Sequence, residues 1–477
     1  MNKKSNKLIA LLVTLDKGQR KSCQKFLESP YFNSSKDLVR LFKELGKRID
    51  AERTLEKEAV WASLFKGKPY SDVRFRKFTS DLYRLIQNYL VQEELQRKPD
   101  QQKLLYLQAI GRQYPRKIVD GITRNWEKEI GDPLSSMSES SDRYHYRYLA
   151  ETLLYRLARF DIRTHERANF DEIGENLDVF YLVEKLRTHY SSQSTYHSRQ
   201  HDYKKTLIPE IIAYLRRNPY YRKYLPVAIY YYAYLMDNEP EKEEHFRSFR
   251  SLLLEHATKF EVNDATTLLT GALNYCIKKV TRGKREYEQQ YLTIYQHSLN
   301  SGIEGQIQFI DPARFKNAIQ IALRLGEYEW VRKYIEDFQH SLPEKQRKTA
   351  VNYNMAAYYF YQKNYGEAIG YLSQVDYDDP NYTLNSRTML LAAYYELDAY
   401  EALDSTFDAF SAYLNRHKEL PKDLRKLYQN LISITRKLSR TIPGDEVALN
   451  KLRKEIDEKG AVASLGWVKE KLEELAA

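Results

Sequence analysis

The chain has 477 residues, with 76 Lys and Arg against 65 Asp and Glu, for a formal net charge of +11 at pH 7. That length buries ample core without metals or disulfides. Its 17 glycines, about half of the usual ~7%, argue against the turn-rich texture of sheet proteins and for an all-α chain. The two cysteines, Cys23 and Cys276, lie outside any C-x-x-C spacing, which excludes a disulfide framework and points to a reducing, cytoplasmic setting. No apolar run approaches the ~18 residues of a membrane span. Tyrosine is the outlier, at 41 residues against 18 Phe and 4 Trp, so most aromatic packing falls to a ring with a polar tip.

The basic excess is N-terminal. Residues 1–100 carry 22 bases and 13 acids, leaving 54 against 52 for the rest, an asymmetry that marks possible contact with nucleic acid or an anionic surface. Residues 1–98 read as a basic helical domain. Lysines precede an apolar stretch at the start, but Leu8, Leu11, Leu12 and Leu15 keep the i, i+3, i+4, i+7 spacing of a core-facing helix. The stretch is also too short and lacks the cleavage site of a secretory leader. Ser29-Pro30 ends the next helix, because the residue before proline is pushed out of the helical region, and Asn33, Ser34 or Ser35 caps the one after. A break at Gly67–Pro69 precedes a long helix with Phe75, Phe78, Leu82, Leu85, Ile86 and Tyr89 on one side. Arg74, Arg76, Lys77 and Arg84 on that helix are the candidate phosphate contacts.

Residues 99–265 read as helical hairpins. "GDPLSSMSESSDRY", from Gly131, is a boundary or an exposed loop. Past it, amphipathic stretches such as "YLPVAIYYYAYLMD" and "EKEEHFRSFRSLLLEHA" follow one another with the short breaks that antiparallel helices need.

Residues 266–440 contain a repeat, and 441–477 read as capping helices. "LGEYEWVRKYIEDF", "QKNYGEAIGYLSQV" and "ELDAYEALDSTFDAF" align on Tyr328, Tyr365 and Tyr400, spaced 37 and 35 residues apart. Apolar residues follow each tyrosine at +3, +7 and +10: Val331, Ile335 and Phe338; Ala368, Leu372 and Val375; Leu403, Phe407 and Phe410. These lie on one helix face. Pro343 and Pro380 stand at +15, where proline ends one helix and opens the next unit. In the third unit the proline, Pro421, comes later.

With small Ala356 on the first helix of the second unit, this pattern resembles the tetratricopeptide-repeat family over about residues 268–415. The first unit departs from it, with Ile319 at the small position and Val331 for the packing alanine. A weaker unit, "LLTGALNYCIKKVTRGKREYEQQYLTIYQHSL", precedes these and offers Tyr287. Stretches such as "SPYFN", "NYCIKK" and "YYEL" also give the whole chain a resemblance to a set of bacterial helical proteins, which brings no activity with it. The repeat resemblance implies an α-solenoid of stacked antiparallel helix pairs whose first helices line a concave groove that binds a protein or peptide segment. Its geometry directs Lys316, Gln320, Tyr353, Asn354, Ala357, Phe360, Tyr361, Asn385, Thr388, Ala392 and Tyr395 to that groove. Lys316 and Asn354 match the carboxylate clamp of some members. Gln320 stands for an Asn, and Asn385 and Met389 stand where cations are required, so the clamp is incomplete.

Chemistry is scarce. His197 and His201 are i, i+4 on a helix with His189 two turns earlier, but no carboxylate or thiol completes a metal site. "DYDDP" from Asp376 to Pro380 lacks the glycine and the terminal glutamate of a calcium loop. Glycine-rich phosphate loops are missing. No cofactor, metal, small-molecule substrate or membrane is expected. The expected function is a non-enzymatic scaffold for a protein segment, with a nucleic-acid-associated role for the basic N-terminal domain as the alternative.

Overall fold

The computed structural model describes residues 6–53, 55–113, 116–125, 128, 138–158, 168–199, 204, 206–306, 309–375 and 380–477. Among them are 23 α-helices and no strand. None of the described helices is long and apolar enough to cross a membrane. The chain divides into two compact units, 1–182 and 183–477.

The first unit opens on five helices: α1 (Lys7–Thr14), α2 (Lys17–Glu28), α3 (Lys36–Asp50), α4 (Lys57–Leu64) and α5 (Asp72–Gln96). Local chemistry sets their ends. The Asn6 carboxamide accepts the Leu8 N–H at 3.0 Å, and Asp16 and Gln19 close a reciprocal capping box on α2. Helix α2 stops two residues before Pro30. Ser35 is the N-cap of α3 but makes no side-chain cap bond. Asn33 instead fixes the turn, accepting the Ser35 N–H at 3.0 Å and donating to the Leu27 carbonyl at 2.8 Å. Each of α1 to α4 packs on α5, around Leu12, Leu27, Leu45, Val60, Leu82 and Ile86. Each such leucine or isoleucine stabilises the fold by about 1.5–3 kcal/mol relative to exposure. Tyr89 donates its hydroxyl to the Gln19 carbonyl at 3.1 Å. A second small core, with Leu104, Leu107, Tyr146 and Ala150 at its centre, joins α6 (Pro99–Gln113), α7 (Arg116–Arg124) and α8 (Ser141–Ala158). Of the stretch expected to be a loop at Gly131, residues 131–137 lie outside the described residues, and helix α8 has begun by Ser141.

Helix α9 (Phe170–Arg199) runs into the second unit, which continues with α10 (Ile208–Arg217), α11 (Leu225–Asn238) and α12 (Glu243–His256). Then come α13 (Val262–Thr281), α14 (Glu286–Asn300), α15 (Pro312–Arg324), α16 (Tyr328–Phe338), α17 (Glu344–Tyr361), α18 (Tyr365–Leu372), α19 (Pro380–Glu396) and α20 (Tyr400–Arg416). From α11 onward they pack as neighbouring pairs, and the first helices also touch in series, α15 on α17 and α17 on α19.

Four of these pairs turn on one backbone motif. Gly283, Gly326, Lys363 and Asp398 each take a left-handed conformation, with φ of 87°, 80°, 61° and 52°. In each, the next residue's N–H returns to the carbonyl five residues earlier: Lys284 to Lys279, Glu327 to Ala322, Asn364 to Tyr359 and Ala399 to Tyr394, at 2.9–3.0 Å. This Schellman closure satisfies the orphan carbonyls of the first helix and reverses the chain. The residues at +3, +7 and +10 from Tyr328, Tyr365 and Tyr400 are all buried except half-buried Phe338. Pro343 and Pro421 are the N-caps of α17 and of α21 (Lys422–Leu438), and Pro380 is the first residue of α19. The preceding unit is out of register. Tyr287 lies four residues past its left-handed residue, Gly283, where Tyr328, Tyr365 and Tyr400 lie two past Gly326, Lys363 and Asp398, and it is buried where Tyr400 is exposed. Helix α21 then packs on α22 (Glu446–Lys459) and α23 (Leu465–Ala476) around Leu431, Leu438, Leu449, Leu452 and Val468.

Candidate functional site

The residues expected in the groove fall into three groups. Tyr353, Asn354 and Ala357 are buried, as is Ala392. They are therefore corrected from contact residues to packing residues, because side chains that close the seams between α17 and its neighbours leave nothing for a partner to touch. Asn354 donates to the Ala350 carbonyl of its own helix at 2.8 Å, and its amide oxygen is buried without a partner. The second group remains partly exposed: Lys316 and Gln320 on α15, Phe360 and Tyr361 on α17, Asn385 and Thr388 on α19. The third is Tyr395 alone. It meets Trp467 of α23 edge-on at 5.4 Å between ring centroids, so the chain's own last helix covers it.

Three helices do bring part of this set together. The Gln320 amide donates to the Tyr353 hydroxyl at 3.2 Å. The Tyr353 ring meets Tyr382 edge-on at 5.1 Å, and the Lys316 amine stands 5.5 Å from the Tyr382 centroid, within cation–π range. A strip of polar and aromatic groups thus crosses α15, α17 and α19, with two residues from the first and one from each of the others. Burial raises the Tyr353 phenol well above the ordinary tyrosine value and raises that of Tyr361 too. Both stay neutral donors at neutral pH. Tyr382 was missed in the sequence, although it shares a face with Asn385, Met389 and Ala392 at the +3, +7 and +10 spacing that identifies the second helices.

A fixed cap stands at the opposite end of α19 from Tyr382. Trp467 donates its indole N–H to Glu396 Oε1 at 2.7 Å, and the Lys471 amine donates to Glu396 Oε2 at 3.1 Å and to Glu474 at 2.8 Å. Those two carboxylates raise the Lys471 pKa against the opposing effect of burial, so the cap is charged and hydrogen-bonded throughout the neutral range. No family model, curated protein or solved structure matches this chain.

The basic face of α5 is differently made. Arg74, Arg76, Lys77 and Arg84 are all exposed. Arg76 pairs with Asp72 at 2.7 Å and Arg84 with Asp81 at 3.5 Å; neither Arg74 nor Lys77 makes an ion pair among the described residues. Each i, i+4 or i, i+3 pair on such a surface is worth about 0.3–0.5 kcal/mol, so an incoming phosphate displaces it at little cost.

Among the described residues no group of three or more His, Cys, Asp or Glu could hold a metal ion. His201, the His197 side chain and Asp376–Asp379 lie outside the described residues. His189 is described, with its ring 5.6 Å from Tyr234. Cys23 and Cys276 are buried free thiols. Burial pushes both pKa values up to about 12, which keeps them in the poorly nucleophilic thiol form.

Proposed function

We propose that this chain is a non-enzymatic cytoplasmic scaffold whose second unit stacks tetratricopeptide-like helix pairs into an α-solenoid and holds a protein segment along its first helices. The observation that carries the reading is the strip across α15, α17 and α19, in which Gln320 bonds to Tyr353, Tyr353 packs on Tyr382, and Lys316 stands against the Tyr382 ring. Regular stacking of this kind produces an extended surface, and such surfaces bind other chains. The exposed set of one cation, amides, a hydroxyl and aromatic edges suits an amphipathic helix or an extended segment carrying acids.

The test is site-specific photo-crosslinking in the full-length chain, with the reactive group at Gln320 or Asn385 and, as a control, at exposed Lys333 on α16. The reading expects one partner segment, defined by mass spectrometry, at the first two positions and not at the third, with Lys316→Glu reducing its yield. Equal labelling at all three sinks it.

A second reading, contact of the N-terminal unit with nucleic acid, is favoured only by exposed Arg74 and Lys77. Its mark is steep salt dependence, with log K falling by about 0.9 per phosphate neutralised on duplex DNA. Arg74→Gln with Lys77→Gln flattens that slope by about two phosphates if the reading holds.

A further inference from the structure

The 3₁₀ turn Pro219–Lys223 and the helices α11 and α12 enclose an open cleft of about 670 Å³, within the size range of small-ligand sites. One wall is apolar: Pro219, Ala228 and Leu252, with the ring of Tyr232 beside them. The polar groups are the guanidinium of Arg222 and the hydroxyls of Ser248 and Ser251. No carboxylate lines it.

Arg222 is the unusual member. Its guanidinium carbon stands 5.5 Å from the centroid of Tyr231, and its Nε–H is buried without a hydrogen-bond partner. It makes no ion pair among the described residues, whereas nearby Arg216, Lys242 and His245 all converge on Glu239. Glu244 and Glu255 flank the two serines on the same face of α12, one turn before Ser248 and one turn after Ser251, but neither lines the cleft, and Glu255 lies 3.4 Å from His256. Arg222 is half-exposed and lines the cleft, so a guanidinium without an ion-pair partner among the described residues is open there to an incoming anion. The turn that carries it is fixed by prolines at both ends, Pro219 opening the 3₁₀ turn and Pro226 opening α11. The backbone that carries Arg222 is therefore set before any ligand arrives.

We propose that this cleft binds an organic anion, a carboxylate or phosphate ester on a small apolar body. Arg222 and the two hydroxyls take the anionic head, and the wall of Pro219, Ala228, Leu252 and Tyr232 takes the body. Arginine presents its donors as a planar fork matched to both head groups. The site is independent of the strip on α15, α17 and α19, so either can fail alone.

The experiment uses the full-length chain and three probes of one shape: phenylacetate, phenyl phosphate and neutral phenylacetamide. Ligand-observed NMR titration and thermal unfolding are read together, since a ligand that binds only the folded state raises its stability. At least one of the two anions is expected to bind saturably and stabilise the chain, with the amide inert, and the anion that binds identifies the head group. Arg222→Gln is expected to weaken that binding by about tenfold or more while leaving the unliganded melting temperature unchanged. Failure of both anions overturns the proposal, as does equal binding of the amide or anion binding that survives Arg222→Gln. Should that variant unfold, the comparison of anion with amide on the unaltered chain still decides.

Discussion

The five-helix core of the first unit and the helix pairs of the second are both all-helical, yet they are filled with different chemistry. Around α5 the buried side chains are leucine, isoleucine, valine and phenylalanine, with Cys23, Trp61 and Tyr89 the exceptions. Between the helix pairs the filler is tyrosine: Tyr190, Tyr230, Tyr275, Tyr291, Tyr295, Tyr334 and Tyr353 are all buried. Aliphatic side chains are silent to pH and indifferent to where their neighbours' polar atoms lie. Buried phenols are neither, because each must keep its proton and find a partner. The first unit's core is thus mainly aliphatic, with Tyr89 and Trp61 its hydrogen-bonded exceptions, and the second carries many more buried phenols.

High pH separates the two most strongly. Burial raises the Tyr275 phenol to about 12 and raises those of Tyr291, Tyr295 and Tyr334 further, against about 10 in an unfolded chain. A folded pKa above the unfolded one means that the folded state holds the proton more tightly. The corresponding stability is complete below pH ~10 and is lost as the pH rises through the folded values. We expect the second unit to unfold cooperatively above pH ~10, with tyrosinate absorbance and loss of helix rising together. Trp330, stacked on Tyr334 at 4.8 Å, is expected to change its fluorescence before Trp61 of the first unit, in variants retaining one tryptophan each. Phenols that titrate independently while the helix signal holds would contradict the contrast.

A buried charge attacks the same unit locally. Ala368 is fully buried at the +3 position after Tyr365, so Ala368→Glu places a carboxylate where it must be desolvated. The expected cost is several kcal/mol, read as a lowered denaturant midpoint with hydrogen exchange accelerated across α17 to α19 and unaffected in α1 to α5. Uniform loss of protection would mean that the repeat has no separate core.

The polar part of the tyrosine core can be isolated by deleting oxygens in pairs. Tyr295 and Tyr334 share a hydroxyl–hydroxyl hydrogen bond that is fully buried. Tyr295→Phe leaves the Tyr334 hydroxyl stranded at a cost of about 1–3 kcal/mol, while Tyr295→Phe with Tyr334→Phe removes both groups and approaches neutrality. Chemical denaturation of the three variants forms a cycle. A double variant as damaged as the sum of the singles would show that the hydroxyls have other essential partners.

Much of this architecture was legible because it follows local rules. Proline, capping residues and apolar spacing set the start of α1, the end of α2 and the starts of α17, α19 and α21. The +3, +7, +10 positions of the repeat are buried because spacing on one helix fixes which side chains share a face. What spacing does not fix is depth. Tyr353, Asn354 and Ala357 were placed on the groove by analogy of position, and they are buried because α15 and α19 both pack on α17 there. Tyr395 was lost to the strip because Trp467, 72 residues later, folds back onto it, and no local pattern encodes such a return. The Arg222 cleft was illegible for the same reason, since its lining comes from one turn and two helices.

The smallest effect concerns the turns themselves. Of the four left-handed residues that close the helix pairs, two are glycine and two are not. Side chains there crowd the following carbonyl, at about 1–2 kcal/mol for an L-residue. Lys363 is the cleaner site, because Asp398 also accepts the Tyr400 hydroxyl at 3.0 Å, and that bond would be lost with the side chain. Lys363→Gly removes the crowding but adds freedom to the unfolded chain, so the net gain expected is about 0.5–1 kcal/mol. Gly326→Ala runs the other way. Nothing lies within 4 Å of an added Cβ at Gly326, so its expected loss of about 1 kcal/mol is a backbone cost alone. Opposite shifts of similar size in the denaturant midpoint, with unchanged slope, would establish that the pairs share one turn energetically as well as geometrically. A destabilised Lys363→Gly would mean that the lysine stem packs on the turn and offsets its own strain.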